Sequence, residues 1–90
     1  MILDGEKINE EGHDYLIEKL NLPVYYGKNL DALFDCLTSM KIDIEIKNSD
    51  VMDKDLLDTF KDAYEENDLM SLKIIWFKLG ILKDITTPKT

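Results

Sequence analysis

Ninety residues make one domain with one core, enough to bury roughly two thirds of the surface the unfolded chain exposes without disulfides or a structural metal. Nineteen acidic residues stand against eleven lysines and no arginine, a net charge of −8. That sign repels phosphate backbones and anionic lipids, which weighs against nucleic-acid and membrane-surface binding, and it attracts cationic partners.

Along the chain, residues 1–3 are a short apolar opening closed by Asp4-Gly5, a turn dipeptide, and Ile8 ends this strand–turn segment. Asn9 offers a side-chain oxygen to a helix start, with Glu10 and Glu11 in the favourable first turn. His13, Leu16, Ile17 and Leu20 recur at helical spacing until Pro23 ends the pattern. His13 is expected to be a satisfied core or boundary histidine. Asn29 is a second capping candidate, opening a helix through about Ser39. On it Leu30, Leu33, Phe34 and Leu37 form one stripe, while Asp31, Asp35 and Thr38 share another, with Phe34 at the border. Cys36, toward the inner side of this helix, reads as a small buried hydrophobe, and being single it forms no internal disulfide.

Residues 41–47 alternate strictly with β-branched apolar side chains, the strongest strand pattern in the chain. Asn48-Ser49-Asp50 reads as a loop. Asp53 or Asp55 caps a further helix through about Asn67, with Leu56, Leu57, Phe60, Ala63 and Tyr64 facing inward. Residues 72–77 form the last expected strand, apolar enough at its end to be buried on both faces, with Trp76 and Phe77 in the core. Gly80 ends it, and residues 81–90 carry no assigned element. The order strand, helix, helix, strand, helix, strand implies an α/β fold, a small three-stranded parallel sheet packed by helices and joined by right-handed crossovers.

Charge and composition also set expectations about setting. The longest purely apolar run, residues 74–77, is too short for a bilayer, and residues 1–6 carry acids and a turn where a signal peptide needs cations and an apolar stretch. A cytoplasmic protein is expected. Between Asp50 and Asp68 lie eight acids and two lysines, whereas residues 69–90 carry four lysines and one acid. This run reads mainly as a solvated face that can also steer a cationic partner.

The most specific stretch is residues 22–38, in which Tyr25-Tyr26-Gly27 leads through Lys28 into Asn29-Leu30-Asp31-Ala32-Leu33-Phe34-Asp35-Cys36-Leu37-Thr38. Adjacent tyrosines supply rigid amphipathic rings at low entropic cost, Tyr25 as the interface anchor and Tyr26 packed against the domain. Gly27 permits a turn or the close approach of a partner. Asp31 and Asp35, one helical turn apart, repel each other slightly, and a cationic partner relieves that repulsion. A carboxylate set among arginine and lysine side chains forms charge-assisted hydrogen bonds.

This stretch closely resembles the signature of the barstar family, the inhibitors of the ribonuclease barnase. Weaker likeness extends to Asp4-Gly5-Glu6 and to Phe60-Lys61-Asp62-Ala63 with the apolar strand after it. The resemblance implies a barstar-like domain over residues 1–80, with residues 81–90 as a C-terminal extension. It implies that the position of Asp35 enters the ribonuclease's phosphate-binding site and that of Tyr25 stacks on its catalytic histidine. Asp31 and Asn29 match further contacts, Gly27 and Thr38 backbone or hydroxyl contacts, Phe34 an aromatic rim, and Asp62 a peripheral acidic contact. The implied function is an intracellular, non-enzymatic inhibitor that occludes a basic barnase-like ribonuclease or toxin domain and is monomeric when free.

The chain departs from the family where Phe34 replaces tryptophan, where Ser39-Met40 replaces a glycine–tryptophan pair, and where a shortened link after Ile46 implies that one short helix is missing. Ser39, Met40 and the shortened link support an alternative, a barstar-like interaction module with a non-ribonuclease partner. Enzymatic readings have little support. One histidine and one cysteine suggest no nucleophile–base pair, and Asp50, Asp53 and Asp55 lack the glycine and terminal glutamate of a calcium loop. No glycine-rich phosphate loop is present, and no metal or cofactor is expected. A two-carboxylate hydrolase built on Asp31 and Asp35 would need a cleft that so small a chain seldom supplies.

Overall fold

Alternation along the strands sets the sheet. In the computed structural model, which describes residues 1–78 and 81–86 and the side chains through residue 75, Ile44 and Ile46 of β2 (Ile42–Lys47) are buried while Asp43 and Lys47 are exposed. Strands β1 (Ile2–Asp4) and β3 (Met70–Lys78) flank β2, both parallel to it. Leu3 lies opposite Ile46, Ile44 opposite Leu72, and Ile46 opposite Ile74, so one face carries a continuous apolar patch. The three parallel strands agree with the sheet expected from the sequence.

Burial alternates along the first half of the last expected strand. Met70, Leu72 and Ile74 are buried, but Ser71 and Lys73 between them are exposed. β3 is therefore covered on one face over this stretch, with the other open to water. On that open face Ser71 donates to Asp43 Oδ1 at 2.9 Å, opposite each other in the register. The side chains of Trp76 and Phe77, expected in the core, lie outside the described residues. Residues 81–86, to which the sequence assigned no element, form a fourth strand, β4 (Ile81–Thr86), antiparallel to β3 with Ile81 opposite Lys78. The sheet order is β1-β2-β3-β4.

The first helix starts earlier than Asn9. Asp4 caps α1 (Gly5–Glu11), its Oδ1 accepting from the Glu6 N–H at 3.0 Å. The Asn48 side chain donates to the same oxygen at 3.1 Å and is the main cause holding the Asp4 carboxyl below its ordinary value, with the Glu6 N–H, Lys47 and Lys7 assisting against the opposing effect of burial. Gly5 is buried because the chain after β2 presses on it: a Cβ there would collide with the Asn48 carbonyl. This dipeptide opens a helix rather than making a turn, and the glycine is selected by a contact with a residue far along the chain.

Gly12, at φ +61°, then separates α1 from α2 (His13–Leu20), so the single helix expected over this stretch is two. Asn21, left-handed at φ 52°, closes α2 by donating its N–H to the Ile17 carbonyl. Helix α3 (Leu30–Thr38) follows the expected bounds. The link after β2 holds a 3-10 turn, Ser49–Val51, before α4 (Lys54–Glu66). Asp53 stands at the capping position of α4 but makes no side-chain capping bond. Leu16, Leu20, Leu33, Leu37, Phe60, Ala63 and Tyr64 close over the apolar face of the sheet, with Leu56 and Leu57 half-buried at the margin. Burying each such large side chain contributes about 1.5–3 kcal/mol. Helices α3 and α4 pack against each other, so the acidic helix lies on a rigid support.

Candidate protein-binding site

The loop between α2 and α3 sorts its two tyrosines by what each can bond. Tyr26 is 8% exposed, and its hydroxyl lies 2.6 Å from Nδ1 of His13. Burial, with Cys36 as a further influence, pushes that hydroxyl up to about 12. The Tyr26 N–H donates to the Pro23 carbonyl at 3.0 Å, closing a tight turn over Val24 and Tyr25. With Tyr26 drawn inward at the end of that turn, Tyr25 faces out at 85% exposed beside a fully exposed Val24. The left-handed residue in this loop is Lys28, at φ 53°, and not Gly27. Gly27 is exposed, and its carbonyl accepts from Asn29 Nδ2 at 3.2 Å. Lys28 Nζ also meets Asp14 Oδ1 on α2 at 3.1 Å, though both groups are well solvated and the pair contributes little.

Asn29 caps α3, as its position suggested. Its Oδ1 accepts from the Ala32 N–H at 2.8 Å, so with the bond to Gly27 most of its carboxamide is engaged within the loop. Leu33 and Leu37 are fully buried, Phe34 is half-buried at the border, and Asp31 and Asp35 are exposed. Among the described residues neither carboxylate has a hydrogen-bond or ion-pair partner. Asp62 on α4 is likewise exposed with no such partner. A helix rises about 1.5 Å per residue, which puts Asp31 and Asp35 about 6 Å apart along the axis on one solvent face.

The far end of α3 has carbonyls that the helix itself cannot satisfy. Thr38 Oγ1 donates to the Asp35 carbonyl at 3.0 Å and Ser39 Oγ to the Cys36 carbonyl at 3.0 Å. Asn67, buried just beyond α4, donates from Nδ2 to the Leu37 carbonyl at 2.8 Å and to the Met40 carbonyl at 2.7 Å. The proton of the Thr38 hydroxyl is thus committed to its own helix, leaving its oxygen to accept from a partner. Ser39 and Met40 form part of the wall of a hollow of about 280 Å³ beside Tyr25, to which Pro23 and the half-buried Cys36 also contribute.

The structure therefore brings Tyr25, Gly27, Asn29, Asp31, Phe34, Asp35 and Thr38 onto one loop and the helix it opens. Two residues that hold this surface, His13 and Asn67, were not singled out for it in the sequence. His13 carried the pattern of a polar residue on an apolar stripe, and Asn67 that of an asparagine closing an amphipathic helix. Both patterns are too common to point to a site. Among the described residues no group of three or more His, Cys, Asp and Glu side chains is placed to hold a metal, and no helix is long and apolar enough to cross a membrane.

The chain is 37% identical, over 78 residues, to a Bacillus subtilis (strain 168) protein named "Putative ribonuclease inhibitor YrdF", an alignment covering 73% of this chain and 86% of that relative. The family model described as "Barstar (barnase inhibitor)" matches residues 1–74, from β1 through α3 and α4 into β3. The chain belongs to the barstar family.

Proposed function

We propose that the protein is an intracellular inhibitor of a basic, barnase-like ribonuclease or ribonuclease toxin domain, occluding its active site one to one and protecting the cell that makes both. The observation carrying this reading is that Asp31 and Asp35, exposed and unpaired among the described residues, stand on a helix buried along its opposite side and introduced by an outward Tyr25. Such a surface already has its shape before a partner arrives, so little binding energy is lost to ordering. Asp35 takes the place of a substrate phosphate among arginine and lysine side chains, with charge-assisted hydrogen bonds. Tyr25 stacks on the catalytic histidine. Gly27, Asn29, Asp31, Phe34 and Thr38 line the contact, and Asp62 meets its edge. The net charge of −8 steers a cationic enzyme toward this face, an effect that salt screens over a Debye length of about 10 Å at 0.1 M.

The test is titration of the protein into a barnase assay. Truncating one partner of a desolvated charge pair costs about 2–5 kcal/mol, so Asp35→Ala weakens inhibition roughly thirty- to several-thousand-fold, while Glu11→Ala leaves it unchanged. Equal behaviour of the two variants against a responsive ribonuclease overturns the reading. A second reading, an interaction module for a different protein, draws on Ser39 and Met40, which replace the family's glycine–tryptophan pair beside Tyr25. Capture of a non-nuclease partner by the wild type but not by Tyr25→Ala, with barnase-type enzymes left active, would favour it.

A further inference from the structure

We propose that His13 is a positioning residue for partner binding: its Nδ1, 2.6 Å from the Tyr26 hydroxyl, latches the loop over residues 23–28 onto α2 and so presents Tyr25 and the first turn of α3 in binding-ready form. The inference deepens the inhibitor reading and rests on it for the partner.

The tie runs through a chain of hydrogen-bonding groups. The His13 and Tyr26 rings lie 5.6 Å apart, tilted by 50°, at the very start of α2. The Tyr26 hydroxyl also stands 3.5 Å from the Asn29 carbonyl, the same oxygen that accepts the Leu33 N–H at 3.0 Å and opens α3. One hydroxyl thus touches both the helix before the loop and the helix after it. A neutral imidazole bearing its proton on Nε2 accepts from Tyr26. An imidazole protonated at Nδ1 donates instead, and the hydroxyl then turns to the Asn29 carbonyl. Because the Tyr26 hydroxyl is pushed up to about 12, it keeps its own proton throughout the ordinary pH range.

Other ties between this loop and α2 are weaker. The Lys28–Asp14 pair is exposed on both sides, with side chains 60% and 74% accessible. The Leu22 N–H bonds the Ile17 carbonyl at 3.1 Å where the chain leaves α2, but beyond it the remaining polar contacts, Tyr26 to Pro23 and Asn29 to Gly27, lie within the loop or its junction with α3 and do not fasten residues 23–28 to α2. The wild-type loop is held by the buried Tyr26 ring and its hydroxyl's bond to His13, and losing that bond lowers the free energy of local opening. When only a fraction of molecules holds the competent arrangement, apparent affinity falls by that fraction with no contact to the partner removed. Loss of the His13 bond should therefore act on Tyr25 at a distance.

The experiment compares His13→Phe, His13→Asn, Tyr26→Phe and the double variant His13→Phe/Tyr26→Phe. Two readouts are taken: inhibition of barnase, and amide exchange at Tyr26 and Ala32 in the free protein, referenced to Ile44 in the central strand. Asparagine places a polar atom close to the position of Nδ1, whereas phenylalanine keeps the ring and loses it. The expected result is inhibition weakened about five- to tenfold by His13→Phe and by Tyr26→Phe, the double variant no worse than either, and recovery in His13→Asn. Exchange at Tyr26 and Ala32 rises in the two phenylalanine variants while Ile44 stays protected. Additive losses in the double variant, or unchanged exchange at Tyr26 and Ala32, overturn the proposal. Should the wild type inhibit no barnase-type enzyme, the inhibitor reading falls, and the exchange measurement still decides the latch.

Discussion

Replacing Asn67 by alanine tests how the acidic helix is held at its far end. The side chain donates to the Leu37 and Met40 carbonyls at 2.8 and 2.7 Å, and its Oδ1 accepts from the Leu69 N–H at 3.0 Å. Each such bond contributes about 0.5–1.5 kcal/mol net, so losing these three costs about 1.5–4.5 kcal/mol, centred near 3. For a domain of this size each kcal/mol lowers Tm by about 4–8 °C, which places the shift near 12–24 °C. Asn67→Asp sharpens the argument, because it keeps the acceptor for Leu69 and removes both donors toward α3. At neutral pH it should cost at least as much as alanine, with a carboxylate now facing two carbonyl oxygens. Urea denaturation with an unchanged m-value measures both variants, and amide exchange at Ser39 and Met40 reports local fraying of the last turn. A cost below about 1 kcal/mol for Asn67→Ala, or a milder loss for Asn67→Asp, would show that the end of α3 is closed by Ser39 and its neighbours alone.

Three further outcomes follow from the geometry. Asp35→Ala should raise the stability of the free protein by about 0.5–1 kcal/mol, since it removes an i,i+4 like-charge pair and a weak helix former, while weakening inhibition; a loss of stability in thermal melts would refute the idea that α3 holds strained charge. Gly5→Ala should destabilise by about 1–3 kcal/mol, because its Cβ must displace the Asn48 carbonyl, and an unchanged midpoint in urea would count against that close approach. The raised Tyr26 value makes its contribution to stability fully present below pH 10 and lost as pH rises from 10 toward about 12, since the unfolded state releases its proton first; Tyr26→Phe should flatten that alkaline slope in denaturation curves taken across the range.

Much of this fold could be read from local patterns whose causes are themselves local. The alternation of residues 42–47 became β2, and the capping asparagine at position 29 opened α3 where its chemistry required. The sorting of the two tyrosines also follows the expectation, with Tyr26 packed against the domain and Tyr25 facing water. What escaped the sequence had distant causes. Gly5 read as a turn residue, but its smallness answers to Asn48, so the first helix begins at once after Asp4. Strand β4 has charged and small polar residues interleaved with its apolar ones and was read as a tail, yet an antiparallel neighbour needs only a short connection to add to an edge.

The candidate site shows the same division between chemistry that is written locally and placement that is not. Asp31, Asp35 and Tyr25 announce themselves by type and spacing, but none of them holds its own position. At one end of α3 the Tyr26 hydroxyl lies between His13 and the Asn29 carbonyl, and at the other Asn67 reaches across from beyond α4. Between these two ties Leu33 and Leu37 are fully buried. The acidic face is thus carried on a helix secured at both ends and along its back, which leaves the two carboxylates few ways to relieve their repulsion except by rotamer changes or counterions. A cationic pocket removes on contact whatever repulsion rotamer changes and counterions leave, so the cost of keeping the two charges together on this helix turns into a contribution to binding.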